Sequence, residues 1–269
     1  MVGSAALGYR SGNFAVGLDS QGDPDTLMGF ALGGIAGSFS VPDRETSGNI
    51  IGGHAGAYGA RKWGQFYING SLAMDLYSNT TDRFTSVPGA SGPLNPVPAI
   101  TREHWTGDFM SAGFGTSLEA GWRQPIGAGA ITPFAGLQFQ ALSMQAFSEK
   151  SASDGALGLD FDSRTVISLP VSLGLQLDTT VAVGGTTTLQ AWGRAAWQHE
   201  FKPDRSVEPT FQAAPGYAFV VQGASAAEDA VAVNAGVKLN WAPTHPSSPA
   251  SMASSPTGCR PMAAMSGSG

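Results

Sequence analysis

The chain has 269 residues, 37 of them glycine, with 13% charged side chains and a formal net charge of −6. The charged fraction is about half the ~25% of soluble domains and suits a barrel whose outer wall meets lipid, while the acidic balance argues against a general nucleic-acid binder, which would carry a basic patch. The length suits one large domain, and the single cysteine, Cys259, has no partner for an internal disulfide.

In chain order, residues 14–20, 27–40 and 50–60 are predicted as weaker strands. Residues 26–41 lack charge, but they are slightly short for a membrane helix and are interrupted by Gly29, Gly33, Gly34 and Gly37. A helical GxxxG reading of Gly29, Gly33 and Gly37 is outweighed by the Gly-rich strands around it. In 66–77, Phe66, Ile68, Leu72, Met74 and Leu76 oppose Tyr67, Asn69, Ser71, Asp75 and Tyr77. In 111–123, Ala112, Phe114, Leu118, Ala120 and Trp122 oppose Ser111, Gly113, Ser117, Glu119 and Arg123. Leu137, Phe139 and Ala141 oppose Gln138 and Gln140.

The clearest strand is 167–178. Ile167, Leu169, Val171, Leu173, Leu175 and Leu177 share one face, and Ser168, Pro170, Ser172, Gly174, Gln176 and Asp178 share the other. Period-two alternation over that length signals a strand between two different environments. Pro170 cannot donate to a ladder, which predicts a bulge there. Residues 189–199 and 217–222 are further strands, and in 231–241 Val231, Val233, Val237, Leu239 and Trp241 oppose Asn234, Lys238 and Asn240.

The links between these ten segments alternate in length. Short ones cover 21–26, 61–65, 124–130, 179–187 and 223–229; long ones cover 41–49, 78–108, 148–165 and 200–216. Tight turns on one side and long loops on the other are the pattern of a membrane-spanning β-barrel. The fold expected is all-β: an antiparallel up-and-down transmembrane barrel. Ten strands with short periplasmic turns would begin and end on the extracellular side, so one strand is expected to be missing at each end. Met1-Val2-Gly3-Ser4 shows no basic n-region or cleavage site, so the export leader such a barrel needs is expected outside this sequence. Residues 1–241 are predicted as the incomplete barrel, and 242–269, rich in Pro, Ser, Ala and Gly, as a disordered tail.

The charges agree with a wall that is apolar outside. Asp75, Glu119, Asp178, Arg194 and Lys238 all fall on the polar face and are the candidates for lining a lumen. Facing lipid at mid-membrane, a Lys or Arg would cost about 2–4 kcal/mol. Trp105, Trp122, Trp197 and Trp241 lie near strand ends, where aromatic girdles occur. Asp160 and Asp162 with Asp154 make a sparse acidic group, well short of a calcium ligand set. His54, His104, His199 and His245 lack metal spacing. No nucleophile elbow or P-loop appears, so catalytic, cofactor and metal residues are all expected to be none.

Three segments carry a resemblance. They are Thr132-Pro133-Phe134-Ala135-Gly136-Leu137-Gln138-Phe139 with Ala146-Phe147-Ser148-Glu149; Trp192-Gly193-Arg194-Ala195-Ala196-Trp197-Gln198-His199-Glu200-Phe201; and Pro215-Gly216-Tyr217-Ala218-Phe219 continuing through Gly223, Glu228-Asp229-Ala230 and Gly236. In order and spacing they resemble the C-terminal translocator domain of classical autotransporters (type V secretion), over residues 12–241 and most closely after Gly107. The resemblance implies a twelve-stranded barrel in the bacterial outer membrane with a helix through its lumen. It implies as partners outer-membrane lipid, the barrel-assembly machinery and an exported passenger domain that this sequence does not contain. The sequence departs from the pattern in lacking a passenger, an obvious lumen helix and a final strand ending in an aromatic residue.

The function expected is therefore an outer-membrane translocator that anchors and supports secretion of an N-terminal passenger. Two alternatives stand beside it. A barrel lipid hydrolase needs a Ser/His pair near the rim, formed by His54, His104 or His199. A soluble lipocalin-like cup needs Leu173 and Leu175 pointing inward.

Overall fold

The computed structural model describes residues 6–87, 89, 100–151, 155–184, 187–223 and 227–240. Among the described residues nine long strands form one antiparallel wall. They are β1 (Gly8–Asp23), β2 (Thr26–Val41), β3 (Thr46–Trp63), β4 (Phe66–Val87), β5 (Ile100–Trp122), β6 (Gly129–Met144), β7 (Arg164–Ser168 continued by Pro170–Gly184), β8 (Thr187–Glu200) and β9 (Asp229–Asn240). Each pairs with its neighbours in sequence.

The β1–β2, β3–β4, β5–β6 and β7–β8 connections are short and share one rim. At β3–β4 two residues suffice: Trp63 lies opposite Phe66, and Gly64 takes φ +62°, a conformation that glycine adopts freely. The other four connections share the opposite, long-loop rim.

Three expectations need correction. Residues 217–222 are not a wall strand: Val221–Gln222 pairs only with Ser206–Val207, and Ala218 makes one bridge to Thr210. Between β8 and β9 the described residues thus contain no further wall strand. Among the described residues the wall therefore has nine strands where about ten were expected, and within them it runs from the long-loop rim at Gly8 to the short-turn rim at Asn240. Pro170 makes no bulge either. Ser168 faces Gln140 and Val171 faces Leu137, one continuous register, so the missing N–H interrupts the ladder without inserting a residue.

The wall is turned inside out relative to a soluble fold. Leu173, Leu175 and Leu177 are 51%, 50% and 59% exposed. In register with them stand the exposed Phe14, Val16 and Leu18 on β1, Met28, Phe30 and Leu32 on β2, Leu72, Met74 and Leu76 on β4, and Val231, Val233, Val237 and Leu239 on β9. At the short-turn rim this apolar band ends in Trp63, Phe66 and Trp122, with Trp63 and Phe66 stacked at 6.0 Å. From Met110 to Trp122 the band runs about 40 Å along β5. At a tilt near 40° that is about 30 Å of height, a bilayer core.

The opposite face is the concave one. Glu119 on β5 and Arg194 on β8 form an ion pair although β6 and β7 stand between them. On a flat sheet three ladder spacings of about 4.8 Å would part those strands by about 14 Å. Side chains standing up from a flat sheet do not meet across that span, so the wall curls toward the face that carries them. Among the described residues β1 pairs only with β2 and β9 only with β8.

Candidate functional site

The concave face takes alternate residues of every strand: Tyr67, Asn69, Ser71 and Asp75 from β4 lie opposite Gly121, Glu119, Ser117 and Gly113 from β5. Glu119 is the centre of one cluster. Arg194 Nη1 donates to its Oε1 at 3.2 Å, Nη2 pairs with Oε2, and the Tyr67 hydroxyl donates to Oε1 at 2.8 Å. The guanidinium lies over the Phe134 ring, 3.5 Å from its centroid, so a cation–π contact adds to the forked hydrogen bonds. Two glycines make room for these rings. A Cβ on Gly121 would lie 2.5 Å from the Tyr67 ring, and one on Gly174 would lie 2.5 Å from the Phe134 ring.

Of the five residues singled out from the sequence, the fold joins Glu119 and Arg194 to each other. Asp178 pairs instead with Arg123, whose Nη2 donates to Oδ1 at 2.5 Å. Asp75 sits on the concave face opposite His54 and Gly113, with no hydrogen-bond or ion-pair partner among the described residues. Lys238 faces Gln190. Sequence reading missed Tyr67, Phe134 and Arg123. Parity along the strand was the only available signal for them, and it gives a face without giving a partner.

A second cluster closes over the long-loop end of this face. There β4 and β5 extend past the apolar band, and the described loop segments 145–151, 155–163 and 201–223 fold onto their concave side. Glu149, which is buried, accepts from Arg83 Nε at 2.9 Å and Leu159 N at 3.0 Å. Glu103 accepts from Ala156 N at 3.1 Å, Leu157 N at 3.2 Å and Trp105 Nε1 at 3.2 Å. Phe147 stacks between Phe109 and Phe161 at 4.4 and 4.5 Å. Gln212 Nε2 ties the second loop on by donating to Glu149 O at 2.9 Å. In that loop Ser206 N donates to Asp204 at 3.0 Å and holds its carboxyl below the usual carboxylate range. Trp105 belongs to this cluster. It is 3% exposed on the concave face, not part of an outer girdle, because it shares the parity of Glu119. Trp122 and Trp197 do lie outward, and Trp241 is outside the described residues.

Two of the histidines meet carboxylates. His104 Nε2 lies 3.1 Å from Asp82 Oδ1, and His199 Nδ1 lies 3.0 Å from Asp229 Oδ1, both on the outer face at the long-loop rim. No hydrogen bond joins either to a serine among the described residues. His245 and Asp154 lie outside those residues, and within them no three metal-binding side chains gather.

The family model described as the autotransporter beta-domain matches residues 2–245. The chain belongs to that family. Autotransporter β-domains are translocator barrels of the bacterial outer membrane, and the lipid-hydrolase and soluble-cup alternatives are not favoured. Among solved structures the chain is similar to the translocator domain of autotransporter NalP from Neisseria meningitidis, at 18% identity and TM-score 0.55, covering 86% of this chain and 80% of that one. It is also similar to the beta domain of the Bordetella autotransporter BrkA, at 21% identity and TM-score 0.53, covering 87% and 88%. At such identities the likeness concerns the fold. No curated protein matches the chain.

Proposed function

We propose that this autotransporter barrel anchors an N-terminal passenger in the outer membrane and supports its passage outward along the concave face. Asp75, Glu119, Asp178, Arg194 and Lys238 line that passage. Ion pairs within the wall, Arg194 with Glu119 and Arg123 with Asp178, satisfy its strongest charges and leave the face wet but not adhesive. The wall has no catalytic role, and folding of the passenger outside supplies the drive. Its partners are outer-membrane lipid, the barrel-assembly machinery and the passenger. The proposed barrel covers the described residues between 6 and 240, and the tail expected at 242–269 lies outside the described residues.

The observation that carries this reading is the reversal of faces: exposed leucines and valines on one side, paired ions on the other. The test places the full chain behind an export leader and a reporter passenger in a Gram-negative bacterium. Surface exposure of the reporter, with the chain in the outer-membrane fraction, is expected. A soluble chain with the reporter retained in the periplasm rejects it.

A further inference from the structure

Past the long-loop edge of the apolar band the outer face changes chemistry, and it does so twice in the same way. On β4 and β5, Phe84 stacks on His104 at 4.4 Å, and the Arg102 guanidinium lies 4.2 Å from the centre of the same ring. His104 Nε2 lies 3.1 Å from Asp82 Oδ1, and Arg102 Nε lies 3.6 Å from Glu45 Oε2. On β8 and β9, His199 stacks on Trp197 at 5.8 Å and meets Phe201 edge-on at 4.6 Å. Asp229 Oδ1 accepts from Trp197 Nε1 at 3.0 Å and lies 3.0 Å from His199 Nδ1. The Arg102 and Asp229 side chains are both 61% exposed. The short-turn rim is built differently. Its outer face carries Trp63, Phe66 and Trp122, with Arg61 5.4 Å from the Trp63 ring centroid, and no histidine–carboxylate pair among the described residues. Aromatic belts mark both interfaces of a bilayer, so a difference in the polar groups beside them matches a difference between leaflets.

Height decides which headgroup reaches these clusters. His199 stands two residues past Trp197 on the same face, about 5 Å above it at a tilt near 40°. His104 stands six residues past Met110, the last exposed apolar residue of β5, which is about 15 Å of height. A phospholipid headgroup layer adds only about 5–8 Å to each side of the hydrocarbon core. A phospholipid therefore reaches His199 but not His104, whereas a headgroup of several sugars reaches both.

We infer that the two clusters bind the oligosaccharide headgroup of a glycolipid of the lipopolysaccharide class in the outer leaflet. The exposed rings of Trp197 and Phe201 suit the apolar C–H face of a pyranose. Carboxylates accept from sugar hydroxyls, and guanidinium and imidazole N–H groups donate to sugar oxygens. Arg102 and both histidines each have a carboxylate beside them, an arrangement that serves neutral hydroxyls better than a bare phosphate. The surface continues the lipid-facing band upward and rests on that reading of the outer face.

The experiment places the full chain in vesicles of phosphatidylethanolamine and phosphatidylglycerol in magnesium-containing buffer. The vesicles hold no lipopolysaccharide, lipopolysaccharide cut back to lipid A, or lipopolysaccharide with its core sugars. Modification of each histidine by diethyl pyrocarbonate is followed by mass spectrometry, with His54 on the concave face as internal control. Core-bearing lipopolysaccharide is expected to slow His104 at least fivefold, while lipid A leaves it unchanged. His199 is expected to slow with both, and His54 with neither. Arg102→Gln is expected to cut the effect at His104 below twofold and to spare that at His199. Unchanged His104, equal slowing of all three histidines, or an effect undiminished by Arg102→Gln overturns the inference. So does a His104 already protected in plain phospholipid relative to micelles, as a second copy or a phospholipid would make it. A label at position 175 that brominated lipid fails to quench removes the lipid-facing reading and this inference together. A quenched label with unprotected His104 removes this inference alone.

Discussion

Arg194 shows what one side chain contributes when it is neither buried nor free. Its guanidinium and the Glu119 carboxylate are 26% and 17% exposed, so water screens the pair in part. Removing one partner of a fully buried pair costs about 3–5 kcal/mol, and an exposed pair is worth about 0–1 kcal/mol. Arg194→Ala is expected between these, a loss of about 1–2 kcal/mol in urea unfolding of the micelle-bound chain. Arg194→Lys should recover less than half, since an ammonium replaces neither the fork nor the stacking on Phe134; full recovery would reject that account. Gly174 makes a sharper case. A Cβ there meets Ala195 O at 2.4 Å and the Phe134 ring at 2.5 Å, whereas at Gly193 it meets nothing within 4 Å. Gly174→Ala is expected to destabilise by about 1–3 kcal/mol and Gly193→Ala by less than about 0.5 kcal/mol in the same unfolding assay.

At the scale of the element, alternation was what the sequence made legible. The stretch 167–178 could be assigned to two faces because apolar and polar residues trade places without a slip. A test follows on β6. Leu137 points out and Gln138 points to the concave face, so Leu137→Arg is expected to cost about 2–4 kcal/mol while Gln138→Arg is near neutral. Equal costs, read from unfolding in lipid, would contradict the assignment. Where alternation was too brief, the reading failed. Residues 217–222 supply hydrophobicity without length, and the structure spends them in a loop. Trp105 was misplaced because its position near a strand end was weighed and its parity with Glu119, fourteen residues on, was not. Partners were not legible at all: Glu119 and Arg194 are 75 residues apart, and only the curl of the wall joins them. The loop cluster at the long-loop rim was equally hidden, since Glu149 reads as an ordinary loop acid. Glu149→Gln is expected to speed amide exchange at Leu159 by roughly a hundredfold, a loss of about 3 kcal/mol for a broken buried pair, while β7 and β8 keep their protection. Simultaneous loss in β7 and β8 would show that the loops are not a separate unit.

For the whole molecule, a curled wall with its grease outside and its ions inside has one physical consequence above the rest: neighbouring residues on a strand live in different solvents. Leu175 and Gln176 on β7 are the pair to ask. Each is replaced in turn by cysteine in a Cys259→Ser background, labelled with an environment-sensitive fluorophore, and reconstituted in phospholipid vesicles with and without brominated acyl chains. The label at 175 is expected to be quenched by brominated lipid and shielded from iodide in the water, and the label at 176 to behave in the opposite way. Iodide reaching 175 while brominated lipid quenches 176, or both labels shielded from both quenchers in a dry interior, would contradict the inside-out wall.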